Sequence, residues 1–115
     1  MVGLLMCLGL AAFGAWVVSD RYPAGKGPLD ALPAGVGKPS GSPSTVTAPS
    51  TGIKYKTWTF PPNGSQQFHV AARSDGKLGW VSYWVDRTSG ARAFYAGWTP
   101  ENGDQVGLLR KDFGV

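Results

Sequence analysis

Between Leu78 and Arg87, bulky residues fill both alternations of an extended chain: Leu78, Trp80, Ser82 and Trp84 on one side, Val81, Tyr83 and Val85 on the other. Successive side chains of a strand point to opposite faces, so a strand built this way must have both faces removed from water. An antiparallel sheet ordinarily buries one face and wets the other. The residues around 91–98 repeat the pattern more weakly, with Phe94, Ala96 and Trp98 read opposite Ala93 and Tyr95. Whatever this chain folds into needs a cover on each side of its sheet.

The surrounding sequence supplies more strands. From Ile53 onward, short runs rich in Val, Tyr, Trp, Phe and Thr alternate with glycine-bearing turns, the pattern of antiparallel strands. Five strands are expected, at residues 53–60, 66–73, 78–87, 91–98 and 105–113. The connectors Pro61-Pro62-Asn63-Gly64-Ser65, Ser74-Asp75-Gly76-Lys77, Thr88-Ser89-Gly90 and Thr99-Pro100-Glu101-Asn102-Gly103-Asp104 each hold a Gly where the chain reverses. A meander is the simplest topology. Cys7 is the only cysteine, which rules out an intrachain disulfide and a cysteine-built metal site. A domain of this size without such staples has a small core, and association with a partner would help it.

Upstream, the composition changes twice. Between Pro23 and Gly52 lie six of the nine prolines and six glycines, which disfavour both helix and sheet, so residues 20–52 read as a flexible linker rich in Pro, Gly, Ser and Thr. Before it, Val2 to Val18 contain no charged or strongly polar residue, a run at the short end of what spans a bilayer core of roughly 30 Å. Residues 1–19 therefore read as a transmembrane signal-anchor. A cleavable secretory signal is the competing reading, disfavoured because no Lys or Arg precedes the run. Gly3, Cys7, Ala11 and Ala15 recur every fourth residue and form a small-residue stripe suited to helix packing.

The expected fold is thus mainly β: an N-terminal transmembrane helix, a linker, and a small antiparallel five-stranded meander or SH3-like barrel over residues 53–115. The expected location is a single-pass membrane protein with its β domain extracytoplasmic, or in a virion membrane. Basic Arg21 and Lys26 just after the run point the other way by the positive-inside rule, partly offset by Asp20.

Catalytic chemistry finds little support. His69 is the only histidine and lies mid-strand; Ser65 and Ser82 are not in a nucleophile-elbow setting. The acids Asp75, Asp86, Glu101, Asp104 and Asp112 fall mostly in turns or near ends, where solvation explains them. No phosphate loop, cofactor motif or metal-ligand spacing is present, so no enzyme activity and no cofactor are expected. Basic and aromatic residues interleave at Lys54, Lys56, Trp58 and Phe60, and again at Lys77, Trp80, Arg87, Arg92 and Tyr95. Yet a formal charge of only +4 over the whole chain speaks against a nucleic-acid partner.

Large amphipathic aromatics dominate interface energies. The candidate binding residues are accordingly Trp58, Trp80, Tyr83, Trp84, Tyr95 and Trp98. The leading expectation is a membrane-anchored structural or assembly protein, contacting lipid through its helix and other proteins or its own copies through the β domain, in an envelope or virion complex. The alternative is a tethered module binding cell-wall glycan or peptide.

The segment Phe68-His69-Val70-Ala71-Ala72-Arg73-Ser74-Asp75-Gly76-Lys77-Leu78-Gly79-Trp80-Val81 resembles the distal hairpin of bacterial SH3-like domains, in which an aromatic-x-Val strand precedes Gly-Lys-x-Gly-Trp-Val. The resemblance covers about 14 of 115 residues. It implies that Trp80 and Val81 are core residues of a small barrel and that the domain binds cell-wall glycan or peptides. The family's usual opening segment is missing before Phe68, and after Val85 another hairpin stands in place of a short terminal strand.

Overall fold

The computed structural model describes residues 21–100 and 103–115. Its five strands are β1 (Ser44–Thr47), β2 (Lys54–Thr59), β3 (Gln66–Arg73), β4 (Trp80–Asp86) and β5 (Arg92–Trp98), followed by the helix α1 (Gly103–Phe113). All neighbours pair antiparallel in the order β1-β2-β3-β4-β5, an open meander with β1 and β5 at its edges. Strands β2 to β5 fall where the alternation places them.

Three parts of the expected architecture are corrected. The anchor expected at residues 1–19, with the Gly3, Cys7, Ala11 and Ala15 stripe, lies outside the described residues. Among those described, no helix is long and apolar enough to cross a membrane. The described residues form a five-stranded sheet with one short C-terminal helix, and the single-pass membrane protein, its lipid contact and its envelope or virion placement find no support among them. The second correction concerns residues 105–113, expected as the fifth strand, which form α1. Gln105, Leu108, Leu109, Arg110 and Lys111 are good helix formers, and Val106 is the only β-branched residue in the segment. Val106, Leu109 and Phe113 recur at helical spacing and share a face. Arg110 and Lys111 in the last turn suit the negative end of the helix dipole. Gly114, at φ +67°, closes the helix: its N–H reaches the Lys111 carbonyl at 3.2 Å and the Val115 N–H reaches Arg110 at 2.9 Å, a Schellman cap.

The third correction is β1, which arises inside the stretch expected to be irregular and pairs Ser44 to Thr47 with Thr57 to Lys54. Ala48 and Ile53 close that hairpin, with Gly52 at φ +73°. Thr45, Val46 and Thr47 are β-branched, so the segment has the right residues for an edge strand once β2 offers a template.

Both faces of the sheet are covered, and by the chain itself. On one, Leu109 and Phe113 of α1 pack with Tyr55, Ala71, Val81 and Tyr83. The Phe113 ring meets Tyr55 edge-on at 4.7 Å. Asp112 pins the helix end to the β1–β2 hairpin, accepting from Tyr55 Oη at 2.6 Å and from the Ser50 and Thr51 hydroxyls at 3.2 Å. On the other face, Phe60, Phe68 and Val70 are fully buried, with Trp58 and Trp84 beside them and Leu32 and Val36 laid over them. Farther along, the Trp80 indole N–H donates to the Lys26 carbonyl at 2.7 Å, and Tyr22 Oη lies 3.2 Å from both Gly79 N and Gly79 O. The Tyr22 ring sits 5.8 Å from Trp98. Residues 22–36 thus form a strap, and of the two covers open to the second aromatic face, another molecule or a neighbouring segment of the chain, the chain supplies its own.

Candidate functional site

The six candidate aromatics separate into groups. Trp80 and Tyr83 are core residues, 3% and 5% exposed. Trp58 is half-buried against the Phe60–Phe68–Val70 cluster, and Trp98 is half-buried beside Tyr22. Trp84 is half-buried and Tyr95 is 43% exposed. These last two are brought together on the strap-covered face, where the strap stops short.

A β-bulge creates that pairing. Ser82 faces Ala96 and Tyr83 faces Phe94, so Tyr95 is the extra residue on β5. Simple alternation puts Tyr95 opposite Phe94 and Trp98 together, but the bulge shifts the register. Phe94 shares the helix-covered face with Tyr83, and Tyr95 reaches Phe68 on the other. Phe68 is the hub beneath: Phe60, Trp84 and Tyr95 all meet it edge-on, at centroid distances of 5.7, 5.0 and 5.4 Å. Such T-shaped contacts fix ring orientation as well as position.

The Trp84 indole borders two adjoining depressions. One, of about 300 Å³, is lined by Ala34, Gly35 and Val36 of the strap and by Pro61, Pro62 and Asn63. The other, of about 350 Å³, adds Gln66 to Asn63 and Trp84. The polar groups are held in place. Asn63 and Gln66 exchange backbone hydrogen bonds of 2.8 and 3.1 Å across a tight turn in which Gly64 takes φ +63°, a conformation that suits glycine. Arg87 ties that turn to the next one, its N–H donating to Ser65 O at 2.6 Å and its guanidinium to Gly64 O at 3.4 Å. The Gln66 amide nitrogen donates to Asp86 at 3.4 Å, which leaves its carbonyl oxygen as an acceptor. The Asp86 carboxyl is held below the usual range by backbone N–H groups of Ser89 and Thr88, so it is ionised and committed to its own turn. Among the described residues, no charged side chain lines either depression.

The residues weighed for catalysis are dispersed. His69 stacks on Tyr83 at 5.5 Å and lies 3.4 Å from Thr59 Oγ1; burial, then Arg92, lowers its pKa. Ser82 donates to Ala96 O at 3.3 Å inside the sheet. Asp75 pairs with Arg73, whose hydrogen bond holds its carboxyl below the usual range, and Asp112 serves the helix tie. The side chains of Glu101 and Asp104 lie outside the described ones. Among the described residues, no three His, Cys, Asp or Glu side chains group as metal ligands.

No protein-family model, curated protein or solved structure matches the chain. The depression's polar residues, Asn63 and Gln66, escaped the sequence reading because Pro-Pro-Asn-Gly reads as a turn. Only the fold shows that this turn stands beside Trp84.

Proposed function

We propose that this domain is a glycan-binding module and that Trp84 is its platform. The supporting observation is one half-buried indole beside Asn63 and Gln66 in an uncharged depression. A sugar ring offers an apolar C–H face and a rim of hydroxyls. The indole takes the first, and the two amides, each with donor and acceptor atoms, take the second. Pre-positioning by Phe68 and by the Asn63–Gln66 turn lowers the ordering cost of binding. Tyr95, on the same side of Phe68, extends the aromatic surface toward a neighbouring sugar unit. The resemblance of residues 68–81 to SH3-like domains, which commonly bind cell-wall glycan or peptides, supports the same reading.

Co-sedimentation with insoluble cell-wall material tests it. Trp84→Ala is expected to reduce the bound fraction at least about tenfold in apparent affinity, a loss of about 1.4 kcal/mol. Asn63→Ala is expected to weaken binding less, and an uncharged site makes binding nearly insensitive to salt. Soluble glycan fragments should compete. Retention undiminished by Trp84→Ala, or competition by salt and not by glycan, refutes the proposal.

A further inference from the structure

A second surface, on the opposite face of the sheet, has a different chemistry. Among the described residues, strand β5 is an edge strand with β4 as its one neighbour, and Arg92 to Tyr95 are exposed along it. It carries neither Pro nor Lys, two residues that commonly blunt such edges. On its helix-facing side a groove of about 450 Å³ opens between β5 and α1, lined by Phe94, Gly97, Trp98, Val106, Gly107 and Arg110, with Thr99 at its end. Two glycines shape it. At Gly97 a Cβ would stand 2.9 Å from Val106 Cγ1 and 3.1 Å from Trp80 O, so the absent side chain lets the helix approach the sheet. At Gly107 a Cβ would meet nothing within 4 Å, so the helix wall is open there. Phe94, opposite Tyr83, lies on this side, and the Arg110 guanidinium lies 4.1 Å over its ring.

We propose that the β5–α1 groove binds an extended peptide that adds to the edge of β5, seats an apolar side chain against Phe94 and Val106, and pairs a carboxylate with Arg110. An edge strand beside a helix is the arrangement in which strand addition works: backbone groups supply affinity, and alternate side chains entering a pocket supply selectivity. The occupant's acidity follows from the charges. Arg110 is the charged residue among the described lining, Arg92 stands at the start of the same strand, and the whole chain carries +4. Arg110 is positioned by the Val115 carbonyl, which accepts from its Nε at 3.2 Å and its Nη2 at 3.0 Å. The guanidinium has five N–H donors, so others remain for a carboxylate.

The test uses the full chain and a displayed library of random peptides. Enriched peptides are expected to share an acidic residue near a large apolar one, and replacing that acid by its amide should weaken binding about tenfold. Arg110→Gln should abolish the difference between acid and amide forms. Gly107→Leu fills open space and favours the helix, so it should block binding while the domain stays folded. N-methylation of alternate peptide nitrogens should also abolish binding if the peptide is a sixth strand. Absence of enriched binders overturns the proposal, as does a consensus without an acid or binding that survives Gly107→Leu. Cell-wall binding by the Arg110 and Gly107 variants should be unchanged, which separates failure here from failure of the glycan reading.

Discussion

The strap is the most consequential difference from the expected architecture, and one pair of leucines tests it. Leu32 is half-buried against the Phe60, Phe68 and Val70 cluster, whereas Leu29, three residues earlier, is 38% exposed. Replacing a leucine by alanine in a full core costs about 2–5 kcal/mol. Leu32 is only partly buried, so the cost falls below that range, at about 1–2 kcal/mol. In a domain of this size that corresponds to a lowering of Tm by about 5–10 °C. The same substitution at Leu29 removes little buried surface and should stay within about 0.5 kcal/mol. Urea titrations followed by tryptophan fluorescence give both values. Acrylamide quenching in the native state adds a structural readout, because loosening residues 31–36 uncovers Trp58 and Trp84 before the sheet unfolds. Equal midpoints for Leu32→Ala and Leu29→Ala, with unchanged quenching, refute the claim that the upstream chain roofs this face.

Three other residues offer independent checks. Asp112→Ala leaves the Tyr55 hydroxyl and two others without their acceptor, and should destabilise by about 1–3 kcal/mol; a double-mutant cycle with Tyr55→Phe should show coupling at denaturation midpoints. His69 has its folded pKa lowered by burial and by Arg92, so between the folded and unfolded values the unfolded chain binds more protons. Stability is then full above the unfolded value, about 6.5, and declines as pH falls below it toward the folded value. His69→Gln should flatten the urea midpoint just below about pH 6.5, above the depressed carboxyls of Asp75 and Asp86. Gly114→Ala places a Cβ at φ +67° and should cost about 1–2 kcal/mol in a thermal melt.

What the sequence disclosed, and what it concealed, follows from range. Period-two alternation and Gly-bearing turns are local, and they located β2 to β5, the β3 span Gln66–Arg73 included. The need for two covers was also legible, in Trp80 and Trp84 opposite Val81 and Tyr83. Their suppliers were not. Leu32 and Val36 are isolated apolar residues in a proline- and glycine-rich stretch, with no period to betray that they fit one groove in the sheet. Residues 105–113 mix Val106, Leu108 and Phe113 with polar neighbours, a pattern that also reads as a strand continuing the meander. Helix propensity and the Schellman glycine were the better guides. The bulge was equally invisible, because one extra residue in β5 changes no composition yet exchanges the faces of Phe94 and Tyr95.

Coverage of both faces also determines where ligands can bind. A sheet roofed by a strap on one side and a helix on the other keeps little aromatic surface for recognition, and what it keeps lies at the margins of the covers. On the strap side the margin falls beside Val36, where Trp84 emerges next to the Asn63 and Gln66 amides, with Tyr95 linked to it through Phe68. On the helix side it falls beside Gly107, where Phe94 emerges next to a guanidinium. The two margins use the bulge differently: Tyr95 is the extra residue and reaches Phe68 on the strap side, whereas Phe94, opposite Tyr83, lies on the helix side and keeps that partner without it. Deleting Tyr95 should therefore weaken glycan binding and leave peptide binding in place, since it restores regular alternation with Phe94 still opposite Tyr83. Equal loss of both would refute this assignment of Tyr95 and Phe94 to separate surfaces.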